Sequence, residues 1–279
     1  MPSASVKQRW RTTVHPGCRV RILFLGDIVG APGVAAIKKM LPGIRASERL
    51  DLVVANAENA TNGSGLSPKD YRQLRPAGID AITLGDHIYK KQEIAEVLAN
   101  PREPICKPAN FPSEAPGRDH VALTVNGVSV VVISLMGRTF MRPVDCPFAA
   151  VDRVLKALPT GPRVVLVDIH AEATADKYLM AHHLKGRVTA VLGTHTHVPT
   201  ADEQILPGGT AFQCDVGMCG PYDSILGRRI DRVLGTAITF MPSSFDVATG
   251  DVRLSGAIVD VDDTTSLAAG IKRMQWKDA

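Results

Sequence analysis

Residues of the types that can bind metal ions follow five short apolar segments of this sequence. The segments are RILFLG, DLVVANA, DAITLG, RVVLVDI and VTAVLGT, and the residues at or just beyond their ends are Asp27, Glu58 with Asn59, Asp86 with His87, His170, and His195 with His197. Carboxylates mixed with imidazoles suit Mn, Fe or Zn better than Mg or Ca, which favour shells of oxygen atoms alone. The set exceeds what one ion needs, so it indicates two ions.

One pair in the set has a suggestive spacing, because His195 and His197 are separated by a single residue. Side chains two positions apart in an extended segment point to the same side. Each histidine would then bind a different ion of a close pair, and Thr196 would face away. Taken singly, Asp27 is typical of a helix cap and His170 of a core histidine with satisfied hydrogen bonds. Five segments that all end in ligand types favour the metal site instead.

The apolar segments are predicted to be β-strands that alternate with helices. The strands cover residues 20–25, 51–55, 80–84, 163–167 and 188–192, and the helical patterns cover 32–41, 67–78, 91–100 and 174–186, with Ser67 as a cap. In open α/β sheets, ligands bind outside the carboxyl ends of the strands. Groups that are distant in sequence are therefore expected to meet along one edge.

The remaining segments predict further strands and one domain. Residues 119–136 and 202–261 carry strand and hairpin signals, for example the Asn126–Gly127 pair. The sheets are therefore expected to be mixed, with helices outside them. Residues 20–279 are predicted to form a single domain, preceded by a basic, disordered arm over residues 1–19.

Composition limits the class of protein. The 279 residues are 45% hydrophobic and 22% charged, which allows a large core. The longest apolar stretches, such as VSVVVISLM, are too short to cross a bilayer, and no secretory signal is recognisable. Five scattered cysteines favour a reducing cytoplasm. The net charge of +4 comes largely from the arm and gives little support to nucleic-acid binding.

Seven motifs of the chain together resemble one enzyme family. They are GDIVGAPG (26–33), NAENATNGSGL (56–66), GDHIYKK (85–91), KPANFP (107–112), DIHAEATADK (168–177), GTHTHVPTAD (193–202) and DVGMCGPYDSILG (215–227). In order and spacing they resemble the YmdB-like branch of the calcineurin-type metallophosphoesterases. The resemblance extends from Arg21 to about residue 263.

This resemblance implies an α/β fold in the form of a four-layer α/β/β/α sandwich, with two divalent transition-metal ions. Fe or Mn is expected before Zn or Mg, and the implied activity is hydrolysis of 2′,3′- or 3′,5′-cyclic nucleotides. By motif match, the metal ligands are Asp27, Glu58, Asn59, Asp86, His170, His195 and His197. Glu58 would bridge the ions, and His87 would protonate the leaving sugar oxygen. The family usually has Asn where this chain has Asp86, which bears on metal preference and rate.

Several alternatives stay open at this point. Asp168 and Glu172 flank His170 and are expected either to support a ligand imidazole or to be solvated or capping residues. The same metal centre would also serve a phosphatase or nucleotidase. A third interpretation is a metal-bearing regulatory protein that binds RNA-processing partners. The expected partners are a small phosphoester substrate and further copies of the chain in a homo-oligomer, without a membrane.

Overall fold

Two β-sheets packed face to face form the centre of the protein, with helices on both outer sides. The computed structural model describes residues 18–161, 163–262 and 264–278. Its strands are β1 Cys18–Leu25, β2 Asp27–Ile28, β3 Leu52–Asn56, β4 Ala81–Thr83, β5 His120–Val125, β6 Val128–Met136, β7 Val164–His170, β8 Ala190–Thr194, β9 Gln204–Leu206, β10 Thr210–Gln213, β11 Met218–Asp223, β12 Gly250–Asp262 and β13 Ala268–Lys277. Its helices are α1 Gly30–Glu48, α2 Pro68–Leu74, α3 Ile94–Ala99, α4 Pro147–Ala157, α5 Thr174–Leu184 and α6 Ile230–Thr239.

Both sheets are mixed, as the sequence predicted. The first sheet has the order β2-β11-β12-β1-β3-β4, with β13 also paired to β12, and β1, β3 and β4 run parallel. The second sheet has the order β5-β6-β7-β8-β10-β9, and β6, β7, β8 and β10 run parallel. Antiparallel strands complete each sheet, and β12 pairs with β1 near the middle of the first one. The parallel strands of each sheet therefore end at a common edge.

Alternating side chains of the strands explain the four layers. In β1, Ile22 and Phe24 join an apolar cluster with Val132 and Leu166 of the second sheet. The intervening residues Leu23 and Leu25 belong to a separate cluster that includes α1, α2 and α3. A third cluster joins the other face of β6 and β7 to α4 and α5. Since successive strand residues point to opposite faces, each sheet is buried on both sides, which confirms the predicted α/β/β/α sandwich.

Local signals in the sequence place several elements. The Ser67 hydroxyl accepts a hydrogen bond from the Asp70 N–H at 3.2 Å and caps α2 as predicted. Asn126 and Gly127 have φ angles of 50° and 76°, the left-handed backbone of a tight hairpin turn between β5 and β6. No described helix is both long and apolar enough to cross a bilayer.

Two predictions about the chain's organisation need correction or stay open. The interval 202–261 is not made of strands alone, because it contains α6, a helix with no buried residue. Its apolar residues Ile230, Leu234 and Ile238 recur at helical spacing, a signal that the strand prediction for this interval overlooked. The predicted arm mostly lies outside the described residues, but β1 begins at Cys18, two residues before the predicted start of the domain at residue 20. The division into an arm and one domain stays a prediction.

Candidate metal centre

The predicted ligands converge at the edge where parallel strands of both sheets end. The first sheet supplies Asp27, Glu58, Asn59, Asp86 and His87, and the second sheet supplies His170, His195 and His197. Most of these side chains are buried or half-buried. The site therefore lies between the two sheets, and neither sheet holds a complete ligand set.

Four of these residues form a tight cluster. One ligand atom from each of Glu58, Asp86, His170 and His195 lies within 4.8 Å of the others. His170 Nε2 is 3.1 Å from Glu58 Oε1 and 3.1 Å from Asp86 Oδ1. His195 Nδ1 is 3.0 Å from the same His170 nitrogen. Two imidazoles and two carboxylates converge here as they would around one cation.

A second group lies on the other side of Glu58. His197 Nε2 is 3.7 Å from Asp27 Oδ1 and 3.3 Å from the Asn59 amide nitrogen. That nitrogen is also 3.3 Å from Glu58 Oε1, the oxygen that contacts His170. Glu58 thus belongs to both groups, which is the placement that a bridging carboxylate requires. Rotation of the Asn59 amide would present its oxygen to this group.

The electrostatics of the four-residue cluster favour a positive charge among its side chains. Burial alone would raise the pKa of Glu58, but the charge of His170 and its hydrogen bond bring that pKa below the usual range. Burial would lower the pKa of His170, yet the charge of Glu58 and the hydrogen bonds to Asp86 and Glu58 raise it well above the usual value. Ionised carboxylates around a buried position are what a divalent cation needs.

The backbone also leaves room for converging ligands. A Cβ atom at Gly85 would lie 2.2 Å from His170 Cδ2 and 2.5 Å from Glu58 Oε2. Only glycine therefore allows the chain after β4 to pass this close to both side chains. The donor types, their convergence and the close approach of the backbone at Gly85 all fit a metal ion.

The outer nitrogen of His170 is held by a buried hydroxyl. Nδ1 donates to Thr194 Oγ1 at 2.8 Å, and that hydroxyl donates to Asp168 Oδ1 at 2.7 Å. This arrangement keeps one ring proton on Nδ1, so Nε2 is the nitrogen that would bind a metal ion after release of its own proton. Burial raises the pKa of Asp168 to about 6, and Thr83 and Asn56 donate to its other oxygen. Asp168 therefore acts on His170 through Thr194 and makes no direct contact with the imidazole.

The other two imidazoles have partners of different kinds. Glu172 Oε2 lies 3.1 Å from His195 Nε2, so this half-exposed carboxylate contacts the nitrogen that faces away from the cluster. His197 Nδ1 donates to the backbone carbonyl of Leu226 at 3.0 Å. Both contacts orient the remaining nitrogen toward the site.

His87 lies at the rim, outside the four-residue cluster. Its backbone N–H donates to Glu58 Oε2 at 2.9 Å, and its ring Nδ1 donates to Asn59 Oδ1 at 2.7 Å. The ring is 31% exposed, and Nε2 lies 3.6 Å from Asp86 Oδ2. Nε2 is therefore the nitrogen available to a bound molecule.

The backbone around the His-X-His pair differs from the extended segment that the spacing predicted. His195 and His197 have φ angles of 96° and 65°, in the left-handed region. The two rings nevertheless enter different groups, His195 beside His170 and His197 beside Asp27. A tight bend, and not strand geometry, produces this placement.

Sequence reasoning missed several residues that hold the site. Thr194 immediately precedes the His-X-His pair and lies opposite His170 in the register of β7 and β8, so strand pairing was the signal that would have found it. Asp215 accepts hydrogen bonds from the Thr196 N–H and hydroxyl, and Lys177 is paired with it. Both lie within the family motifs but carried no ligand spacing. Leu226 contributes only its carbonyl, for which the sequence has no side-chain signal.

Comparison with known proteins gives consistent matches over most of the chain. The model of the family described as YmdB-like protein matches residues 23–274. The 2′,3′-cyclic-nucleotide 2′-phosphodiesterase of Bacillus subtilis is 41% identical over 259 residues, covering 93% of this chain and 98% of that protein. A crystal structure of a hypothetical protein from Thermus thermophilus has a TM-score of 0.88 and 42% identity, covering 93% and 100% of the two chains. A Mycoplasma pneumoniae protein described as a novel phosphatase has a TM-score of 0.86 and 30% identity, covering 92% and 93%.

Proposed function

The chain belongs to the YmdB-like protein family, and from that membership we propose that it is a metal-dependent phosphoric diester hydrolase acting on nucleoside 2′,3′-cyclic phosphates. The observation that carries the proposal is the convergence of Glu58, Asp86, His170 and His195 at one point between the sheets. The named activity of the Bacillus relative, at 41% identity over nearly the whole length of both proteins, supports this substrate class.

We propose that two ions bind, one in each group. Glu58, Asp86, His170 and His195 would hold the first, and Asp27, Asn59 and His197 would hold the second with Glu58 shared. When bound, such ions act as Lewis acids and neutralise negative charge on phosphate oxygens. The mixture of imidazole and carboxylate donors favours Fe or Mn. Elemental analysis of protein prepared without oxygen is expected to give two ions per chain, and one ion would contradict this stoichiometry.

The protein's own residues then supply orientation and a proton. Hydrolysis joins a water oxygen to phosphorus and breaks one phosphorus–oxygen bond of the cyclic ester, and the leaving sugar oxygen takes up a proton. His87 is placed to give that proton from Nε2, because Nδ1 is occupied by the side-chain amide of Asn59 at 2.7 Å. The bond from the His87 N–H to Glu58 fixes this loop against the ligand cluster.

A substrate panel tests the proposal. The protein is reconstituted with Fe, Mn, Zn or Mg and offered 2′,3′- and 3′,5′-cyclic nucleotides and nucleoside monophosphates. Preferred hydrolysis of the 2′,3′-cyclic compounds is expected. Preferred hydrolysis of monophosphates would instead assign a phosphatase, a possibility that the match to the Mycoplasma phosphatase structure favours.

We also propose a homo-oligomer that forms through α6. Ile230, Leu234 and Ile238 recur every four residues on this helix and are 44%, 48% and 69% exposed, and Phe240 just beyond it is 91% exposed. Phe240 alone offers roughly 150–250 Å² of apolar surface. Together with the three exposed helix residues it gives a surface of several hundred Å², which is of the order of one partner's share of a stable interface. A second copy, bound by the same helix, covers it in a symmetric pair. Light scattering of the intact protein and of L234D is expected to show an oligomer and a monomer respectively.

The compartment is inferred from the cysteines. Cys106, Cys146, Cys214 and Cys219 are all free thiols, and burial raises the pKa of three of them, to about 12 for Cys106 and Cys219 and about 11 for Cys214. These three thiols are therefore protonated and unreactive at neutral pH. We propose that the protein works in the reducing cytoplasm, which fractionation of cells would test.

A further inference from the structure

A buried ion pair lies beside the bend that carries His195 and His197. Lys177 Nζ, on α5, donates to Asp215 Oδ2 at 2.7 Å, and the two side chains are 0% and 1% exposed. Neither residue reaches the metal-binding groups. Burying two charges is unfavourable unless further hydrogen bonds satisfy them, so the other partners of Asp215 indicate what the pair does.

Those partners are Thr196, which lies in the bend, and Gly217, which lies two residues after Asp215. Asp215 Oδ2 accepts hydrogen bonds from the Thr196 hydroxyl at 2.6 Å and the Thr196 N–H at 3.1 Å. Its other oxygen accepts from the Gly217 N–H at 2.8 Å. The carboxylate therefore accepts hydrogen bonds from both the backbone and the side chain of Thr196, the single residue between the two histidines.

The backbone of the bend is strained and needs hydrogen bonds of this kind to hold it. His195 and His197 both have left-handed φ angles, 96° and 65°, which residues other than glycine adopt rarely and at a cost in free energy. A backbone of this kind persists only where its surroundings fix it. The Thr196 bonds to Asp215 lie between the two strained residues and fix both.

Close packing brings Asp215 to this position. A Cβ atom at Gly193 would lie 1.7 Å from the Cys214 carbonyl oxygen, so glycine is required for the 214–217 segment to approach the end of β8. The same segment accepts a hydrogen bond from the Asp27 N–H at the Gly217 carbonyl, and Asp27 Oδ2 accepts one from the His195 N–H at 3.0 Å. The segment that carries Asp215 is thus hydrogen-bonded to Asp27 of one proposed group, and Asp27 is hydrogen-bonded to His195 of the other.

We propose that Lys177 and Asp215 form a clamp that positions His195 and His197 for metal binding, an inference that rests on the proposed function of the site. Both are positioning residues that act through Thr196. Lys177 stabilises the ionised form of the buried Asp215 carboxylate. Without a cation beside it, an anion at this depth would either become protonated or move toward solvent. Without the ion pair, Thr196 loses its anchor and the two imidazoles lose their fixed directions.

The first test compares two substitutions of Thr196 in the full-length protein. T196V removes the hydroxyl bond and keeps the backbone bond, whereas T196S keeps both. Support groups beyond the ligands commonly contribute 10–100-fold to metal affinity. The Kd for Mn²⁺, measured by competition with a chelator, is therefore expected to rise about tenfold in T196V and to stay at the wild-type value in T196S.

The second test removes the charge of Lys177. K177M is expected to weaken Mn²⁺ binding about 10–100-fold, measured well below its unfolding temperature. The control is R21M, which removes the cation from another buried group, Arg21 with Asp260 and Glu48, at the opposite end of β1. R21M is expected to lower the thermal midpoint without changing the Mn²⁺ Kd.

The outcomes separate this inference from the proposed function. Wild-type affinity for Mn²⁺ in both T196V and K177M, with only a lower thermal midpoint, would show that the clamp is merely structural. Equal losses of affinity in T196V and T196S would also contradict it. Failure of the wild-type protein itself to bind metal would overturn the proposed function, and the clamp with it.

Discussion

His170 and Thr194 face each other in register on the neighbouring parallel strands β7 and β8, and the Thr194 hydroxyl accepts the Nδ1 proton of His170 at 2.8 Å. The same hydroxyl donates to Asp168 at 2.7 Å. The direction of the two bonds fixes which nitrogen of His170 faces the metal site. Thr194, which places no ligand atom in the cluster, therefore sets the protonation and orientation of a proposed metal ligand.

Replacement of Thr194 by valine keeps the shape of the side chain and removes this acceptor. T194V is expected to weaken metal binding roughly 10–100-fold, measured by Mn²⁺ titration. T194S retains the hydroxyl and serves as the matched control. Unchanged affinity in T194V would mean that the Thr194 hydroxyl does not set the orientation of His170.

Replacement of Gly85 by alanine tests whether the metal site has the crowding described above. The added methyl would start 2.2 Å from His170 and 2.5 Å from Glu58, so G85A is expected to lose bound metal while its helices and strands remain. The control is G43A on α1, where a Cβ would meet nothing within 4 Å. G43A should retain metal and gain about 0.5–1 kcal/mol in unfolding free energy from helix propensity. Full metal content in G85A would contradict the site geometry.

His87 is expected to contribute to hydrolysis and not to metal retention. H87A should lower the rate on a 2′,3′-cyclic nucleotide by roughly 10²–10⁴ with unchanged metal content. The loss should be smaller on bis(p-nitrophenyl) phosphate, whose leaving group needs no proton. H183A, which removes a histidine paired with Asp152 on the surface, is the control. Loss of metal from H87A would make His87 a ligand.

Asp86 places a third carboxylate beside those of Asp27 and Glu58, and it contacts His170 directly. D86N leaves two carboxylates, Asp27 and Glu58, in place of three. Metal retention should therefore weaken, since opposite charges in a partly desolvated site attract strongly. With metal in excess, turnover at neutral pH should rise, because more positive charge remains to stabilise negative charge on the phosphate. Tighter metal binding in D86N would refute this charge argument.

Metal should stabilise the folded protein measurably. At a free concentration of about 100 times its Kd, a ligand adds roughly 2.7 kcal/mol, which corresponds to a rise of about 5–10 °C in the thermal midpoint for a chain of this size. E58Q removes the carboxylate shared by the two groups and should abolish most of the shift. A shift of the same size in E58Q would show that the stabilising ion binds elsewhere.

The sequence predicted the position of the site better than the details that hold it. Buried strands such as β1 and β7 are apolar runs whose ends are visible in the sequence, so the residues following them were found. The bend at His195 and His197 was not, because left-handed backbone at histidine follows from tertiary contacts with Asp215. Helix α6 was missed although Ile230, Leu234 and Ile238 have helical spacing, because it lies between the strand segments of β11 and β12 and the whole interval was assigned to strands.

The division of the ligands between two sheets has a consequence for the order of events in synthesis. His197 is translated 170 positions after Asp27, and β1 finds its antiparallel neighbour only when β12 has been made. Such long-range pairing forms late in folding. The proposed ligands are then all translated before the pairing that completes the first sheet, so a metal ion would not guide the early steps. Acquisition of the proposed ions would therefore follow folding, and an ion would join one completed sheet to the other.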